Sequence, residues 1–209
     1  LQQLEIEVLA SDPPRGRKES TFQHFDIDQL TDCDVITVHT PLSFDAPDST
    51  YQLIDETFIK RLKPGTVLIN TSRGEVLDDN AILSHGKHLT LCLDVFANEP
   101  TPNLELIQQC HIATPHIAGH AIEAKLRASV MLYHKICDLF STQKTVAKYD
   151  HLLSVSDTKI CLDQVRLNYS PLEETVLFKK IRNADDFKAL RAKHNYRHEL
   201  MARHPRVTP

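Results

Sequence analysis

Short runs rich in Val, Ile and Leu recur along the first half of the chain, at Ile6 to Ala10, Val35 to His39, Thr66 to Asn70, Leu89 to Val95 and His111 to Ala113. Each is bounded by Pro, Gly, Asp or Asn, and such runs predict strands buried on both faces of a parallel sheet. Between them the apolar spacing becomes helical. Asp55 to Leu62 places Phe58, Ile59 and Leu62 on one face, and Asp78 to Leu83 opens with acids suited to a helix N-terminus. The alternation predicts an α/β class, with a doubly wound parallel sheet and right-handed crossovers.

A long amphipathic helix is predicted from Ala121 to Phe140, where Ile122, Leu126, Val130, Tyr133, Ile136 and Phe140 are three or four apart. Ser141 to Asp157 reads as a polar linker broken by Leu152-Leu153. Beyond it the pattern predicts a strand over Ile160 to Leu167, a helix starting at Ser170-Pro171 with Glu173 and Glu174 in its first turn, and a last basic helix over Asp185 to Leu200. The expected organisation is an α/β domain over 1–120, a connecting helix over 121–144 and a small α+β domain over 145–209.

The chain has 209 residues, 41% apolar and 25% charged, an ordinary globular composition with enough length for a real core. A net charge of -4 offers no electrostatic footprint for nucleic acid or an anionic membrane, so a small-molecule or protein partner is expected. Cys33, Cys92, Cys110, Cys137 and Cys161 are odd in number and contain no CxxC pair; they read as reduced thiols in a cytoplasmic protein. No stretch matches a membrane span, and Leu1-Gln2-Gln3-Leu4-Glu5 lacks the features of a signal peptide. The pairs His85/His88 and His194/His198 have helical spacing but no Cys or HExxH context, and Gly86 interrupts the first, so no metal is expected.

Three segments fall at the ends of predicted strands, where open α/β sheets bind ligands. They are Asn70-Thr71-Ser72-Arg73-Gly74, Asp94-Val95-Phe96-Ala97-Asn98-Glu99-Pro100 and Thr114-Pro115-His116-Ile117-Ala118-Gly119. An arginine binds a carboxylate in bidentate fashion and polarises an adjacent carbonyl. A histidine can take a hydroxyl proton as hydride leaves, and a nearby carboxylate orients the ring. Hydride itself has to go to a cofactor.

These segments, with His39-Thr40-Pro41-Leu42 and Leu62-Lys63-Pro64-Gly65, resemble in order and spacing the signatures of the D-isomer-specific 2-hydroxy acid dehydrogenases, from about Ile6 to Arg127. The resemblance implies a partial Rossmann-type NAD-binding domain, with Arg73 binding substrate, Glu99 as the carboxylate partner and His116 as the acid/base. It also implies that Asp12 grips the cofactor ribose and that Thr40, Asp94 and Gly119 contact the nicotinamide half. Thr40 and Asp94 read equally as strand-end cap or turn residues. An acid at position 12 repels a 2′-phosphate and favours NAD over NADP; Arg15 and Arg17 are close enough to accept that phosphate if the loop folds back. The five glycines cannot be arranged as GxGxxG. The resemblance places that loop, and most of a substrate domain, ahead of Leu1, so the chain is expected to be inactive by itself.

Pro115-His116-Ile117-Ala118-Gly119 with Glu123-Ala124-Lys125-Leu126-Arg127, and a tail holding Phe187-Lys188-Ala189-Leu190-Arg191 and Tyr196-Arg197-His198-Glu199, resemble one branch of the family. That branch acts on a phosphorylated hydroxy acid and carries a C-terminal dimerisation domain, which implies a homodimer. His120 stands where the branch has a substrate-contacting tyrosine; it reads either as a substrate-binding residue or as a cap of the long helix. The alternatives are another family member, of phosphoglycerate or glycerate type, and a non-catalytic NAD-sensing corepressor-like relative.

Overall fold

The computed structural model describes residues 6–145 and 170–196. Four strands, β1 (Val35–Val38), β2 (Val67–Asn70), β3 (Thr90–Leu93) and β4 (Ile112–Ala113), form one parallel sheet in the order β1-β2-β3-β4. Its register aligns Val38 with Asn70, Asn70 with Leu93, and Leu93 with Ala113. The strands therefore end level, and the loops that follow β1 to β4 all leave from one edge.

The helices are α1 (Pro13–Lys18), α2 (Glu56–Arg61), α3 (Asp79–His85), α4 (Leu104–Gln109), α5 (Ile122–Leu139), α6 (Pro171–Phe178) and α7 (Ala184–Ala192). Several start on a side-chain cap that satisfies an amide left over at the helix N-terminus. Asp55 accepts from Phe58 N, Asp78 from Asn80 N and Ala81 N, and Asn103 from Glu105 N and Leu106 N. The capped helices bury Phe58, Ile59, Ile82, Leu106 and Ile107 in one core with Leu68, Leu91 and Leu93 of the sheet. Each such side chain contributes roughly 1.5–3 kcal/mol of transfer free energy.

Burial along the strands departs from the two-sided pattern expected. Ile36, Val38, Leu68, Leu91 and Leu93 are buried, whereas Val35 is exposed and Val67, Ile69, Thr90 and Cys92 are half-buried. One face is closed by the core and the other is only partly covered by the described residues. Ile6 to Ala10, expected as a strand, belongs to no ladder; Ile6 and Val8 are exposed, and the Ala10 carbonyl accepts from Phe25 N. An apolar run becomes a strand only where a neighbour supplies the other half of its hydrogen bonds.

The chain divides into two compact units, one of Leu1–Ala118 with Pro171–Leu190, the other of Gly119–Ser170 with Arg191–Pro209. This partition differs from the boundaries at 120 and 145 expected from the sequence. The reason is a cluster of inclined rings: Phe178 lies 5.5 Å from Phe96 and 5.6 Å from Phe187, and Phe178, Ile181, Phe187 and Leu190 join the sheet core. In addition, Thr175 Oγ1 accepts the amide of Ala113 at 3.0 Å, closing the outer edge of β4. The last helix, expected over Asp185 to Leu200, ends at Ala192 and continues as a 3₁₀ turn over Lys193–Tyr196. The predicted strand over Ile160 to Leu167, Leu152-Leu153, Cys161 and His198 lie outside the described residues. Cys33, Cys92, Cys110 and Cys137 are free.

In the second unit α5 buries Glu123, Val130 and Cys137, two turns apart, and exposes Leu126, Leu132, Ile136, Leu139 and Phe140. The predicted apolar stripe is thus split, with Val130 on the buried side and Leu126, Ile136 and Phe140 on the outer side. Among the described residues no helix is long and apolar enough to cross a membrane.

Candidate active site

The site is built on the loops leaving the level strand ends. After β2 the chain must turn sharply, and the buried Asn70 organises the turn. Its Oδ1 accepts from Ser72 N and Ser72 Oγ, and its Nδ2 donates to the Arg73 carbonyl at 2.8 Å. A buried amide with its donor and acceptor both used is a rigid support. It presents the exposed Arg73, one of whose guanidinium nitrogens donates to the Ser72 carbonyl at 2.7 Å. Gly74 then runs against the next loop so closely that a Cβ there would lie 1.9 Å from the Phe96 carbonyl carbon.

The loop after β3 carries Glu99. Its Oε1 accepts from Phe96 N at 2.9 Å, and its Oε2 lies 2.7 Å from His116 Nδ1. Both side chains are partly shielded, Glu99 at 19% and His116 at 32% exposure. With Nδ1 donating to the carboxylate, Nε2 is the nitrogen left to exchange a proton with a substrate. His116 itself adopts φ +56°, a left-handed conformation uncommon for a residue with a Cβ. Its amide donates to the Asp94 carbonyl at 2.7 Å, so the left-handed backbone is held at a strand end.

Asp94 is buried, and its carboxylate secures the same loop. Oδ1 accepts from Thr114 Oγ1 at 2.6 Å and Ile117 N at 2.8 Å, and Oδ2 from Ala118 N at 2.9 Å. The turn-residue reading of Asp94 describes these contacts, and a cofactor contact would be additional to them. Thr40 follows β1 and donates to the Pro41 carbonyl.

Asp12 ends the segment that starts at Ile6 and caps α1, accepting from Arg15 N at 3.0 Å. Its own amide donates to His24 Nδ1. The neighbouring arginines are both engaged: Arg15 pairs with Glu19 at 2.7 Å and lies 4.3 Å above the Phe22 ring, and Arg17 pairs with Asp48. An exposed carboxylate beside arginines that already have acidic partners suits a ribose diol rather than a 2′-phosphate.

Gly119 and His120 belong to the second unit. A Cβ on Gly119 would meet nothing within 4 Å. His120 Nε2 lies 3.1 Å from Lys125 Nζ, and α5 starts on Ala121 with no side-chain cap, so His120 is not the cap of that helix. His85 and His88 are each tied to the protein: His85 to Glu56 at 3.3 Å, and His88 to the Leu62 carbonyl at 3.1 Å.

Asn70, Phe96 and Thr114 support the site without having been singled out from the sequence. Asn70 carried a usable signal, a polar residue ending an otherwise apolar strand, which marks a side chain with partners of its own. Phe96 carried none, because an aromatic near a strand end reads as core.

Residues 1–118 match the D-isomer specific 2-hydroxyacid dehydrogenase, NAD binding domain family. The chain is 36% identical over 219 residues to an erythronate-4-phosphate dehydrogenase of Coxiella burnetii (strain RSA 331 / Henzerling II), an alignment covering 100% of this chain and 59% of that protein. It is 33% identical to an erythronate-4-phosphate dehydrogenase of Legionella pneumophila subsp. pneumophila (strain Philadelphia 1), over 96% of this chain and 58% of the other. The chain thus spans about three-fifths of the length of these relatives. Among solved structures, a glyoxylate reductase from Paecilomyes thermophila is similar at a TM-score of 0.50 and 22% identity, over 66% of this chain and 43% of that one; this is a likeness of fold.

Proposed function

Since the chain belongs to the D-isomer-specific 2-hydroxyacid dehydrogenase family and carries its NAD-binding domain, we propose that it serves the NAD-dependent oxidation of 4-phospho-D-erythronate to 2-oxo-3-hydroxy-4-phosphobutanoate, a step toward pyridoxal 5′-phosphate. The observation that carries this reading is the 2.7 Å bond between His116 Nδ1 and Glu99, the latter on the loop that adjoins the one presenting Arg73. Identity to two erythronate-4-phosphate dehydrogenases supports the choice of substrate.

In this reading the Arg73 guanidinium binds the substrate carboxylate and polarises the carbonyl oxygen that forms beside it. His116 Nε2 accepts the hydroxyl proton, and the Glu99 carboxylate stabilises the imidazolium that forms. Bound NAD supplies the acceptor for the hydride. Asp12 holds the adenosine ribose through its carboxylate, and Thr40, Asp94 and Gly119 meet the nicotinamide half. His120 is assigned to the substrate phosphate.

We place homodimerisation in residues 145–209. Supporting this, α6 buries Phe178 inward while Leu172, Val176 and Leu177 stay exposed, an apolar row that a second copy would cover by two-fold symmetry. The free thiols fit a reducing, cytoplasmic setting.

The test is turnover of 4-phospho-D-erythronate with NAD, beside 3-phosphoglycerate and glycerate, in the full-length enzyme that contains this chain and in its His116→Gln variant. The expected result is preference for the phosphoerythronate and a loss of about 10²- to 10⁴-fold in kcat on substitution, with nucleotide binding retained. Faster turnover of phosphoglycerate reassigns the substrate. Unchanged kcat in the variant removes His116 from the chemistry, and NAD binding without turnover of any of the three leaves the corepressor-like reading.

A further inference from the structure

We propose that Phe178, far along the chain from every residue named in the site, is a positioning residue for the Glu99–His116 pair, acting through Phe96. The inference rests on the reading of that pair as the acid/base unit.

Phe96 is where the supports of the site converge. Its amide donates to Glu99 Oε1 at 2.9 Å, and Glu99 uses its other oxygen to hold His116 Nδ1. Its carbonyl carbon and oxygen would lie 1.9 Å and 2.2 Å from a Cβ on Gly74, so the Arg73 loop presses on the same peptide. Its ring is buried, with Phe178 as its aromatic neighbour at 5.5 Å. The Phe96 backbone is therefore held by Gly74, and its side chain by Phe178. Neither support comes from the loop that contains it.

The consequence follows from the geometry of a hydrogen bond. The Glu99 carboxylate can hold His116 only while Phe96 N points at its second oxygen. An empty space beside the Phe96 ring would let the ring, and with it the Cα and amide nitrogen, shift toward that space and lengthen the bond. Phe178 fills the space that would permit such a change. It is fully buried and sits between Phe96 and Phe187, and α6 is pinned to the sheet by the bond from Ala113 N to Thr175 Oγ1. The segment proposed to pair two copies of the chain thereby reaches the acid/base pair through two rings and one amide.

Phe187 provides the control. It is as buried as Phe96 and touches Phe178, but among the described residues no ring contact joins it to Phe96. Phe178→Leu and Phe187→Leu remove the same atoms and keep an apolar side chain, so both are tolerated by the fold. The measurement is the solvent-exchange rate of the His116 Nδ1 proton in the isotope-labelled chain, read by NMR with the backbone amide spectrum as a check on folding. Phe178→Leu is expected to speed that exchange by about tenfold and Phe187→Leu by less than about twofold. Equal effects of the two, or no effect of Phe178→Leu, overturn the proposal. An unprotected Nδ1 proton in the unsubstituted chain overturns the acid/base pair itself, and the proposed function with it.

Discussion

Gly74 and Phe96 meet backbone to backbone: a Cβ on Gly74 would lie 1.9 Å from the Phe96 carbonyl carbon and 2.2 Å from the Ala97 nitrogen. Nothing flexible stands at that contact, so a methyl group can be admitted only by moving one loop or the other. Gly74→Ala is expected to cost about 1–3 kcal/mol of stability and to separate Arg73 from the Glu99 turn. Denaturant unfolding measures the first effect. Substrate KM in the active enzyme measures the second, because a displaced Arg73 weakens carboxylate binding. A variant as stable and as active as the parent would show that the loops do not abut.

The contact also shows what was and was not legible in the sequence. The order Arg73, Glu99, His116 could be read because each follows an apolar run ending in a loop, and the strands 35–38, 67–70, 90–93 and 112–113 fall inside the predicted runs. Ile6 to Ala10 carried the same signal and forms no strand, since composition reports burial and not which neighbour completes a ladder. α1 went unread because Asp12 was given to the ribose, whereas Asp-Pro-Pro is equally a helix start. α4 went unread although Asn103, which caps it, is a helix-start residue. The docking of α6 and α7 on the sheet depends on Phe178 meeting Phe96, a pairing at long range that local pattern does not encode.

That docking changes how the C-terminal region can be tested. Removing residues 145–209 would take Phe178, Ile181, Phe187 and Leu190 out of the core and leave Ala113 N without its acceptor. Such a truncation is expected to unfold the first unit rather than report on assembly. Phe178→Ala alone should cost about 3–5 kcal/mol, and Thr175→Val about 1–3 kcal/mol for the unsatisfied amide. Thermal denaturation checks both. Val176→Glu, on the exposed side of α6, spares the core; it should convert a dimer to a monomer in light scattering with the melting of the first unit little changed.

Asp79, at the first position of α3, is held protonated to about pH 6, first by burial and then by the neighbouring Asp78 and Glu75. A carboxyl whose folded pKa lies above its usual 3.8 stabilises the fold most below pH 4, and that contribution is lost as pH rises through about 6. Asp79→Asn cannot ionise and keeps the stability of the protonated form. With allowance for solvent screening of a partly exposed group, it should exceed the parent by about 1–2 kcal/mol at pH 7.5. The two should converge at pH 3.5. Urea unfolding across that range decides the matter, and a difference independent of pH would remove Asp79 as its source.

Cofactor choice turns on whether Arg15 and Arg17 can reach a 2′-phosphate beside Asp12. Arg15 is held by Glu19 at 2.7 Å and lies over Phe22, and Arg17 is held by Asp48 from the loop that follows Thr40. The carboxylates neutralise both arginines, which favours NAD. Exposed ion pairs of this kind are worth about 0.2–1 kcal/mol each, so the preference should yield to modest changes. Glu19→Gln with Asp48→Asn is expected to shift the NADP-to-NAD ratio of kcat/KM toward NADP by about three- to thirtyfold, mostly through a lower KM for NADP. The effect should fall at high ionic strength, because it rests on charges near the surface. Adding Asp12→Asn should extend the shift by removing the repulsion of the 2′-phosphate. A ratio that stays constant in the double variant, at low and at high salt, would mean that Asp12 alone sets the choice and that the two arginines never face the ribose.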